Sequence, residues 1–224
     1  MNYKELQKRI LSSLIILPVT LYFIFQETIF FAFFLSVLFF VCSYEWIKIN
    51  KKDIIKIIGI FYLFFSFCLA YFLREQLSIG IFVLILVICI ATDLGGYIFG
   101  KIFKGPKLAK ISPKKTYSGA IGGFILSILS VIIYIKTTNL GTTAYLNSSI
   151  GSGNNLELNN FFLIFTLLIS FVSQIGDLII SYFKRLAKVK NTGSILPGHG
   201  GLLDRVDGII FAVPISYLFL TYLK

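Results

Sequence analysis

Seven long apolar stretches restrict this 224-residue chain to the folds that a lipid bilayer permits. Hydrophobic residues make up 57% of the chain and charged residues only 14%, whereas a soluble domain is usually about 25% charged. Most of the stretches approach the roughly 20 residues that a spanning helix requires. The sequence therefore predicts an all-α, polytopic integral membrane protein with about seven transmembrane helices, built as a single transmembrane domain over residues 1–224. The stretches cover residues 10–25, 29–47, 54–72, 77–100, 118–135, 160–183 and 208–223.

The cations are distributed between the stretches in a way that predicts the topology. Three of the 21 lysines and arginines precede the first stretch, four lie within residues 48–56, six within 101–115 and five within 184–205. These are alternate loops, and the positive-inside rule places them, with the N-terminus, in the cytoplasm. A net charge of +11 would suggest nucleic acid in a soluble protein, but this distribution predicts no nucleic-acid partner. The loop at 137–159, rich in Gly, Ser, Thr and Asn, is expected outside.

Neither the N-terminus nor the cysteines change this interpretation. Residues 1–9 resemble the basic start of a signal peptide, but no small-residue cleavage site follows the first apolar stretch, so we expect a retained anchor. Cys42, Cys68 and Cys89 lie in separate apolar stretches without metal-ligand spacing. They are expected to be buried, inert thiols rather than disulfide partners or zinc ligands.

Most of the informative polar residues fall in two blocks, residues 92–123 and 174–207, and the predicted topology puts both on the cytoplasmic side. These basic loops can therefore form one active site. Asp93 and Asp177 belong to the blocks yet still lie within apolar stretches. A carboxylate inside a membrane is costly unless it is paired, bound to a metal or open to water. Pairing between helices is one explanation and a substrate site is the other, which the basic loop after each Asp favours.

Glycines occur in two settings within these blocks. Residues 96–100 and 119–123 begin and end with glycine, a spacing that lets spanning helices approach closely. That spacing is compatible with a nearby site but does not indicate one. Gly200 and Gly201 lie instead in the second basic loop, where their backbone N–H groups could approach an anion.

The second loop combines charge and flexibility with potential metal ligands. It holds the only histidine, His199, and the carboxylates of Asp204 and Asp207, with Arg205 between them. Their spacing is about one helical turn. Carboxylate oxygens can hold Mg²⁺, which proteins usually share with substrate phosphates, and lysines and arginines can neutralise phosphate oxygens. The simpler explanation for some of the lysines is that they orient the chain beside anionic lipid.

The order of these residues resembles the signature of the phosphatidate cytidylyltransferases, the CDP-diacylglycerol synthase family. That signature runs from a Ser-x-apolar-Lys-Arg segment to a His-Gly-Gly-apolar-x-Asp-Arg-apolar-Asp segment. Upstream, residues 176–178 resemble the family's Gly-Asp-Leu motif and residues 112–116 its Ser-Pro-Gly-Lys-Thr loop. The likeness covers about half of the chain, and the N-terminal third agrees only in hydrophobicity and in the pair Glu45-Trp46. The matching signature residues are Ser181, Phe183, Lys184, Arg185, Lys190, Gly193, Leu196, Pro197, His199, Gly200, Gly201, Leu202, Asp204, Arg205, Val206 and Asp207.

Several departures from the family pattern lower the number of acids expected near the site. Asn191 stands where the family has Asp, and Ile180 replaces a carboxylate just before Ser181. Lys114 replaces a Gly, and residues 117–118 replace a Trp followed by an acidic or amide residue. An Asn oxygen can still coordinate a hard cation.

The resemblance implies an enzyme, a nucleotidyltransferase that moves a cytidylyl group from CTP to phosphatidic acid. The products would be CDP-diacylglycerol and pyrophosphate, and the pathway phospholipid biosynthesis. The cofactor would be Mg²⁺, and the location the cell (inner) membrane, as a multi-pass protein in the lipid bilayer. A second cation and a homodimer are left open.

The resemblance also implies roles for individual residues. Asp177 and Asp204 are the leading metal ligands, and Asp207 comes second. His199 is expected to orient or contact a phosphate rather than to act as an obligatory base. The remaining catalytic candidates are Lys184 and Arg185, and the substrate-binding candidates are Ser112, Lys115, Thr116, Ser181, Lys190, Gly200, Gly201 and Arg205.

Two other functions are kept as alternatives. A membrane transporter or channel would use the intramembrane Asp residues and the Gly-rich helices, but it leaves the second loop unexplained. Another Mg²⁺-dependent lipid-phosphate transferase, such as a polyprenol or sugar-lipid transferase, would share the same metal chemistry.

Cysteine labelling tests the predicted topology. In a cysteine-free background, an impermeant maleimide should label Ser148→Cys on intact cells. It should label Lys188→Cys only after the membrane is opened, because basic loops are retained in the cytoplasm. Labelling of Lys188→Cys from outside would contradict the prediction.

Overall fold

The chain folds into a bundle of long helices with one small hairpin. The computed structural model describes residues 14, 16, 18–109, 111–138, 160–196, 198 and 200–222. The helices are α1 (residues 18–25), α2 (Thr28–Ile49), α3 (Asp53–Phe72), α4 (Ile79–Phe103), α5 (Tyr117–Thr137), α6 (Asn160–Leu186) and α7 (Leu203–Tyr222). A π-helical turn, Leu73–Leu77, extends α3, and strands β1 (Lys107–Ala109) and β2 (Ser112–Thr116) lie between α4 and α5.

The all-α membrane class is confirmed, but the predicted count of seven spans is not. Within the described residues, α2, α3 with its π-helical turn, α4, α5 and α6 are the five helices long and apolar enough to cross a bilayer. Only residues 18–25 of the first apolar stretch are described as a continuous helix. Helix α7 carries charged residues in its first turns and Pro214 in its interior. The predicted N-terminal anchor and the loop at 137–159 lie largely outside the described residues.

The first basic loop contains an antiparallel hairpin. Lys107 pairs with Thr116 and Ala109 with Ser112. The backbone N–H of Tyr117 then donates to Pro106 O at 3.1 Å, so α5 starts directly beside the end of α4. The hairpin thus brings Lys115 of β2 beside α6.

Glycines hold α4 and α5 in backbone contact, as their spacing predicted. A Cβ atom on Gly119 would lie 2.6 Å from Gly96 O, and one on Gly123 would lie 3.0 Å from Thr92 O. Helices α6 and α7 cross in the same manner, since a Cβ on Gly176 would lie 2.9 Å from Asp207 O. Both close crossings lie at the level of the two blocks.

The apolar core is centred on α4, which packs against α5, α6 and α7. Ile85 and Ile88 of α4 are fully buried with Phe165 and Ile169 of α6. Because lipid tails are as apolar as these side chains, their packing is stabilised by van der Waals contacts rather than by removal from water. Cys42 and Cys89 are buried free thiols and Cys68 is a partly buried one, so the expectation of unpaired cysteines is confirmed.

The crossing of α4 and α5 gives a matched pair of stability tests. Gly119→Ala should lower the free energy of unfolding by about 1–3 kcal/mol, because overpacking against a backbone atom cannot be relieved by a rotamer change. Gly96→Ala should cost much less, because its Cβ would lie 3.8 Å from Gly119 O, an ordinary contact. The measurement is thermal unfolding in detergent. Equal midpoints for the two variants would contradict the close crossing.

Candidate active site

A polar cavity of about 290 Å³ lies where the two sequence blocks meet. Helices α4 and α5 and strands β1 and β2 supply one wall, and α6 and α7 supply the other. The blocks predicted to form one site are therefore adjacent in space. The lining residues are Thr92, Asp93, Gly96, Leu108, Lys115, Thr116, Gly119, Ala120, Gln174, Asp177, Lys184, Asp204, Arg205 and Asp207.

Helix α6 directs a polar face at this cavity. Asp177, Ser181 and Lys184 are spaced by four and three residues, and therefore share one side of the helix. The Ser181 hydroxyl donates to Asp177 Oδ1 at 3.3 Å. Ser181 thus contacts the site through Asp177 and does not itself line the cavity.

Lys115 joins the two blocks. Its Nζ lies 2.6 Å from Asp177 Oδ2 and donates to Gln174 O at 3.4 Å. The side chains of Lys115 and Asp177 are 25% and 27% exposed, so the ion pair faces the open cavity rather than the sealed core. The alternative explanation for Asp177 was pairing between helices, whereas its partner Lys115 lies in strand β2, at the cavity wall.

Three carboxyl groups from three helices converge in the cavity. Asp93 of α4, Asp177 of α6 and Asp207 of α7 all line it, and Asp93 and Asp177 each interact electrostatically with Asp207. Asp207 is buried, and its Oδ1 accepts from Gly208 N at 3.0 Å. Like charges this close repel unless protons or cations separate them. The cavity is thus built to hold positive charge, of which Lys115 and Lys184 supply part.

Asp204 accepts three hydrogen bonds, one from Lys184 of α6 and two from the backbone of the second loop. Lys184 Nζ donates to Oδ1 at 2.7 Å, and the backbone N–H groups of Thr192 and Gly201 donate to Oδ2 at 2.8 and 3.1 Å. The side chains of Asp204 and Lys184 are only 9% and 10% exposed. Asp204 therefore fixes both the loop and the lysine that faces the cavity.

The glycines of the second loop are required by its geometry. Gly198 and Gly200 have φ of 78° and 92°, a region that side chains with a Cβ rarely adopt. Leu196 and Gly200 exchange backbone hydrogen bonds of 3.0 and 3.2 Å, which close the loop. His199 lies outside the described residues, so its predicted contact with a phosphate stays a prediction.

Several predicted site residues do not line the cavity. Arg185 donates to Ile111 O at 3.4 Å and Val189 O at 3.3 Å, so it connects the hairpin to the end of α6. Thr116 does line the cavity, and its Oγ1 also accepts from Gly119 N at 3.1 Å, which caps α5. The others outside the lining are Ser112, Lys190, Gly200 and Gly201.

One departure from the family pattern has a structural explanation. Ile180 is 4% exposed and lines an apolar cavity of about 230 Å³ with Trp46 and Leu203, and this cavity shares no lining residue with the polar cavity. A carboxylate here would face apolar side chains, so the replacement by Ile removes no ligand from the polar cavity.

Sequence reasoning missed Glu45 as a site residue. Its carboxylate, 1% exposed, accepts from Thr192 Oγ1 at 2.9 Å, from Leu202 N at 3.0 Å and from Leu203 N at 2.9 Å. Glu45 is a charged residue within the apolar stretch 29–47. Asp93 and Asp177 were identified by the same criterion, which could also have identified Glu45.

The carboxyl groups of the cavity are the candidates to hold Mg²⁺. Among the described residues, no group of three or more His, Cys, Asp and Glu side chains has the arrangement of a metal site. Mg²⁺, however, is usually held by one or two carboxylates together with substrate phosphates. Asp177 and Asp207 offer such a pair of hard oxygen donors in an open cavity. The residues therefore suit a cation shared with a phosphorylated substrate.

Comparison with known proteins gives a consistent result. The model of the cytidylyltransferase family matches residues 53–223. A phosphatidate cytidylyltransferase of Brucella suis biovar 1 is 38% identical over 164 residues, 72% of this chain and 55% of the relative. The phosphatidate cytidylyltransferases of Rickettsia typhi and Rickettsia prowazekii are each 36% identical, over 77% and 80% of this chain and 73% and 76% of theirs. The chain thus spans about half the length of the Brucella relative and belongs to the cytidylyltransferase family.

Proposed function

We propose that this chain transfers a cytidylyl group from CTP to phosphatidic acid, giving CDP-diacylglycerol and pyrophosphate for phospholipid biosynthesis. The observation that carries the proposal is the polar cavity, in which cations from both blocks meet three carboxyl groups beside membrane-spanning helices. A site of this kind can accept a polyanionic nucleotide and a lipid phosphate together. The names of the relatives support the choice of substrates.

The reaction asks the protein for alignment and screening rather than for a strong base. A phosphate oxygen of phosphatidate, already anionic, forms a bond to the α-phosphorus of CTP while the bond from that phosphorus to pyrophosphate breaks. The main barriers are the repulsion between two polyanions and the need for an in-line approach. Fixed positive groups reduce the repulsion, and they hold the two substrates in line while they stabilise charge in the transition state.

The two lysine–carboxylate pairs suggest how the site stays stable before substrate binds. Lys115 neutralises Asp177, and Lys184 neutralises Asp204. When phosphates enter the cavity, each lysine can turn from its carboxylate to a phosphate oxygen, and Arg205 lines the same wall. The carboxylates then become available to a metal cation. The site thus exchanges internal ion pairs for pairs with substrate.

Mg²⁺, when bound, would screen the phosphate charges and help the pyrophosphate to leave. Asp177 is our first candidate to hold it, with Asp207 beside it. Both oxygens of Asp204, the other predicted ligand, already accept hydrogen bonds. Asp204 would become a ligand only if Lys184 released it.

We further propose that the protein lies in the cell inner membrane with its N-terminus and both site-forming blocks on the cytoplasmic side, where CTP is available. A homodimer and a second cation stay predictions. No contact in the described part of the chain favours the transporter alternative over a transferase.

A direct assay tests the proposed reaction. Purified protein in detergent should transfer label from CTP into a chloroform-soluble product only when phosphatidate and a divalent cation are both present, with release of pyrophosphate. Pyrophosphate release without labelled lipid would contradict the transferase. Solute flux in liposomes without consumption of CTP would favour the transporter.

Carboxylate substitutions test the separate roles of Asp177 and Asp204. Asp177→Asn keeps the size but removes the charge, so activity should fall by about 10²-fold, equivalent to about 3 kcal/mol, and excess Mg²⁺ should restore part of it. Asp204→Asn should also lower activity, but without rescue by Mg²⁺, because it loosens the loop. Activity is measured as labelled lipid formed against Mg²⁺ concentration.

The matched control is Asp53→Asn, which removes an exposed carboxylate whose side chain is 84% accessible and which pairs only with Lys56 within the described residues. It should leave turnover unchanged. Near wild-type turnover and an unchanged Mg²⁺ requirement in Asp177→Asn, confirmed as folded and inserted, would refute the metal assignment.

A further inference from the structure

Glu45 is a buried carboxylate that reaches the second loop from a different helix. It lies in α2, outside residues 53–223, which the family model matches, and it does not line the polar cavity. Burying a carboxylate is unfavourable unless hydrogen bonds or charges compensate it. Its 1% exposure therefore requires strong local compensation.

The compensation comes from hydrogen-bond donors on the loop and on α7. The N–H groups of Leu202 and Leu203 donate at 3.0 and 2.9 Å, and the Thr192 hydroxyl donates at 2.9 Å. The first N–H groups of a helix have no partner within that helix, and an anion there also interacts favourably with the helix dipole. Glu45 therefore caps α7 from outside.

The chemistry of these contacts selects a carboxylate over an amide. All three donors point at oxygens, and both Oε1 and Oε2 are used. A Gln side chain has one oxygen and one NH₂ group, so in either orientation the NH₂ would face an N–H or O–H donor. Glu45→Gln should thus lose contacts on one side of the group without a change of size.

The loop backbone is also packed directly on Glu45. A Cβ on Gly193 would lie 2.5 Å from Glu45 Oε1, and a Cβ on Gly201 would lie 2.8 Å from its Cδ. Two glycines of the second loop are therefore required because the carboxylate of α2 occupies the space beside them.

Glu45 and Asp204 hold the same pieces of backbone. Thr192 donates its hydroxyl to Glu45 and its N–H to Asp204, and the adjacent residues Gly201 and Leu202 donate to Asp204 and Glu45 in turn. Asp204 in turn accepts from Lys184 at 2.7 Å. A displacement of this backbone would move Asp204 and change where Lys184 presents its charge.

We propose that Glu45 is a positioning residue: by fixing Thr192 and the turn at Gly201–Leu203, it keeps Asp204 and Lys184 in place at the cavity. Glu45 does not touch the substrate and acts through the Asp204–Lys184 pair. The inference rests on the proposed function only for its catalytic readout, since the state of the loop can be measured separately.

The kinetic test is a double-mutant comparison. Glu45→Gln should lower kcat/KM for CTP at least about tenfold, the scale of losing a hydrogen bond to a charged group. If Glu45 acts through Lys184, the same substitution should have little further effect in a Lys184→Met background, since interacting residues are not additive. The same fold-loss in both backgrounds would show a general structural role and overturn the proposal.

The loop test uses no catalysis. In a cysteine-free background, Ser194→Cys places a thiol at an exposed loop position, and Glu45→Gln should speed its reaction with maleimide. The control is Ser66→Ala, which removes a buried 2.8 Å hydrogen bond from α3 to Ile210 O of α7, remote from the loop. Ser66→Ala should change neither the labelling rate nor KM. Equal labelling in Glu45→Gln and wild type would overturn the proposal.

A second pair of variants covers the case in which Glu45→Gln does not fold. Thr192→Val removes one donor to Glu45 from the loop side, and Thr192→Ser keeps the hydroxyl. Thr192→Val should lower kcat/KM and speed labelling, whereas Thr192→Ser should keep both quantities near their wild-type values. Identical behaviour of the two variants would overturn the proposal. If the wild-type protein has no cytidylyltransferase activity, the proposed function fails, and the labelling result alone decides the role of Glu45.

Discussion

The cost of placing a carboxylate among membrane-spanning helices governs the organisation of this protein. Three acids at or beside the cavity have donors supplied from another segment: Asp177 by Lys115, Asp204 by Lys184 and two backbone N–H groups, and Glu45 by the start of α7. Because an uncompensated charge would be expensive there, these contacts hold otherwise separate segments together. The need to compensate these carboxylates therefore also brings together the lysines that can bind anionic substrates.

Close helix crossings make these contacts possible. Gly119 brings α5 onto α4, and Gly176 brings α6 onto α7 at the height of Asp207. In a membrane, small residues stabilise association because they permit close van der Waals packing. The glycines therefore have a structural role that also sets the spacing of the carboxyl groups. Glycine spacing indicates that two helices pack closely, whether or not a site lies beside them. For this reason the spacing alone could not indicate the site.

Patterns that depend on local composition predicted the molecule well. Hydrophobic length located the helices, and the two blocks, one containing Asp93 and the other Asp177, do meet at one cavity. The hairpin was missed because its strands are short and polar, with no alternating apolar face to mark them. The contacts of Asp204 could not be predicted either, since they depend on how the loop folds back on α7. Sequence spacing predicts which residues can be near each other, but it does not reveal which donors a given oxygen accepts.

Glu45 illustrates why a physical criterion reaches beyond a sequence signature. A signature collects residues that lie close together along the chain, and Glu45 is 147 positions from its partner Thr192. A carboxylate in an apolar stretch, however, must find donors wherever the fold provides them. In this fold the donors include the N–H groups of Leu202 and Leu203 at the start of α7, which have no partner within that helix and need an acceptor for the same reason. The buried carboxylate of α2 needs hydrogen-bond donors, and the first N–H groups of α7 need an acceptor. The hydrogen bonds between them meet both needs. Together with the bond from Thr192, they hold the second loop in position.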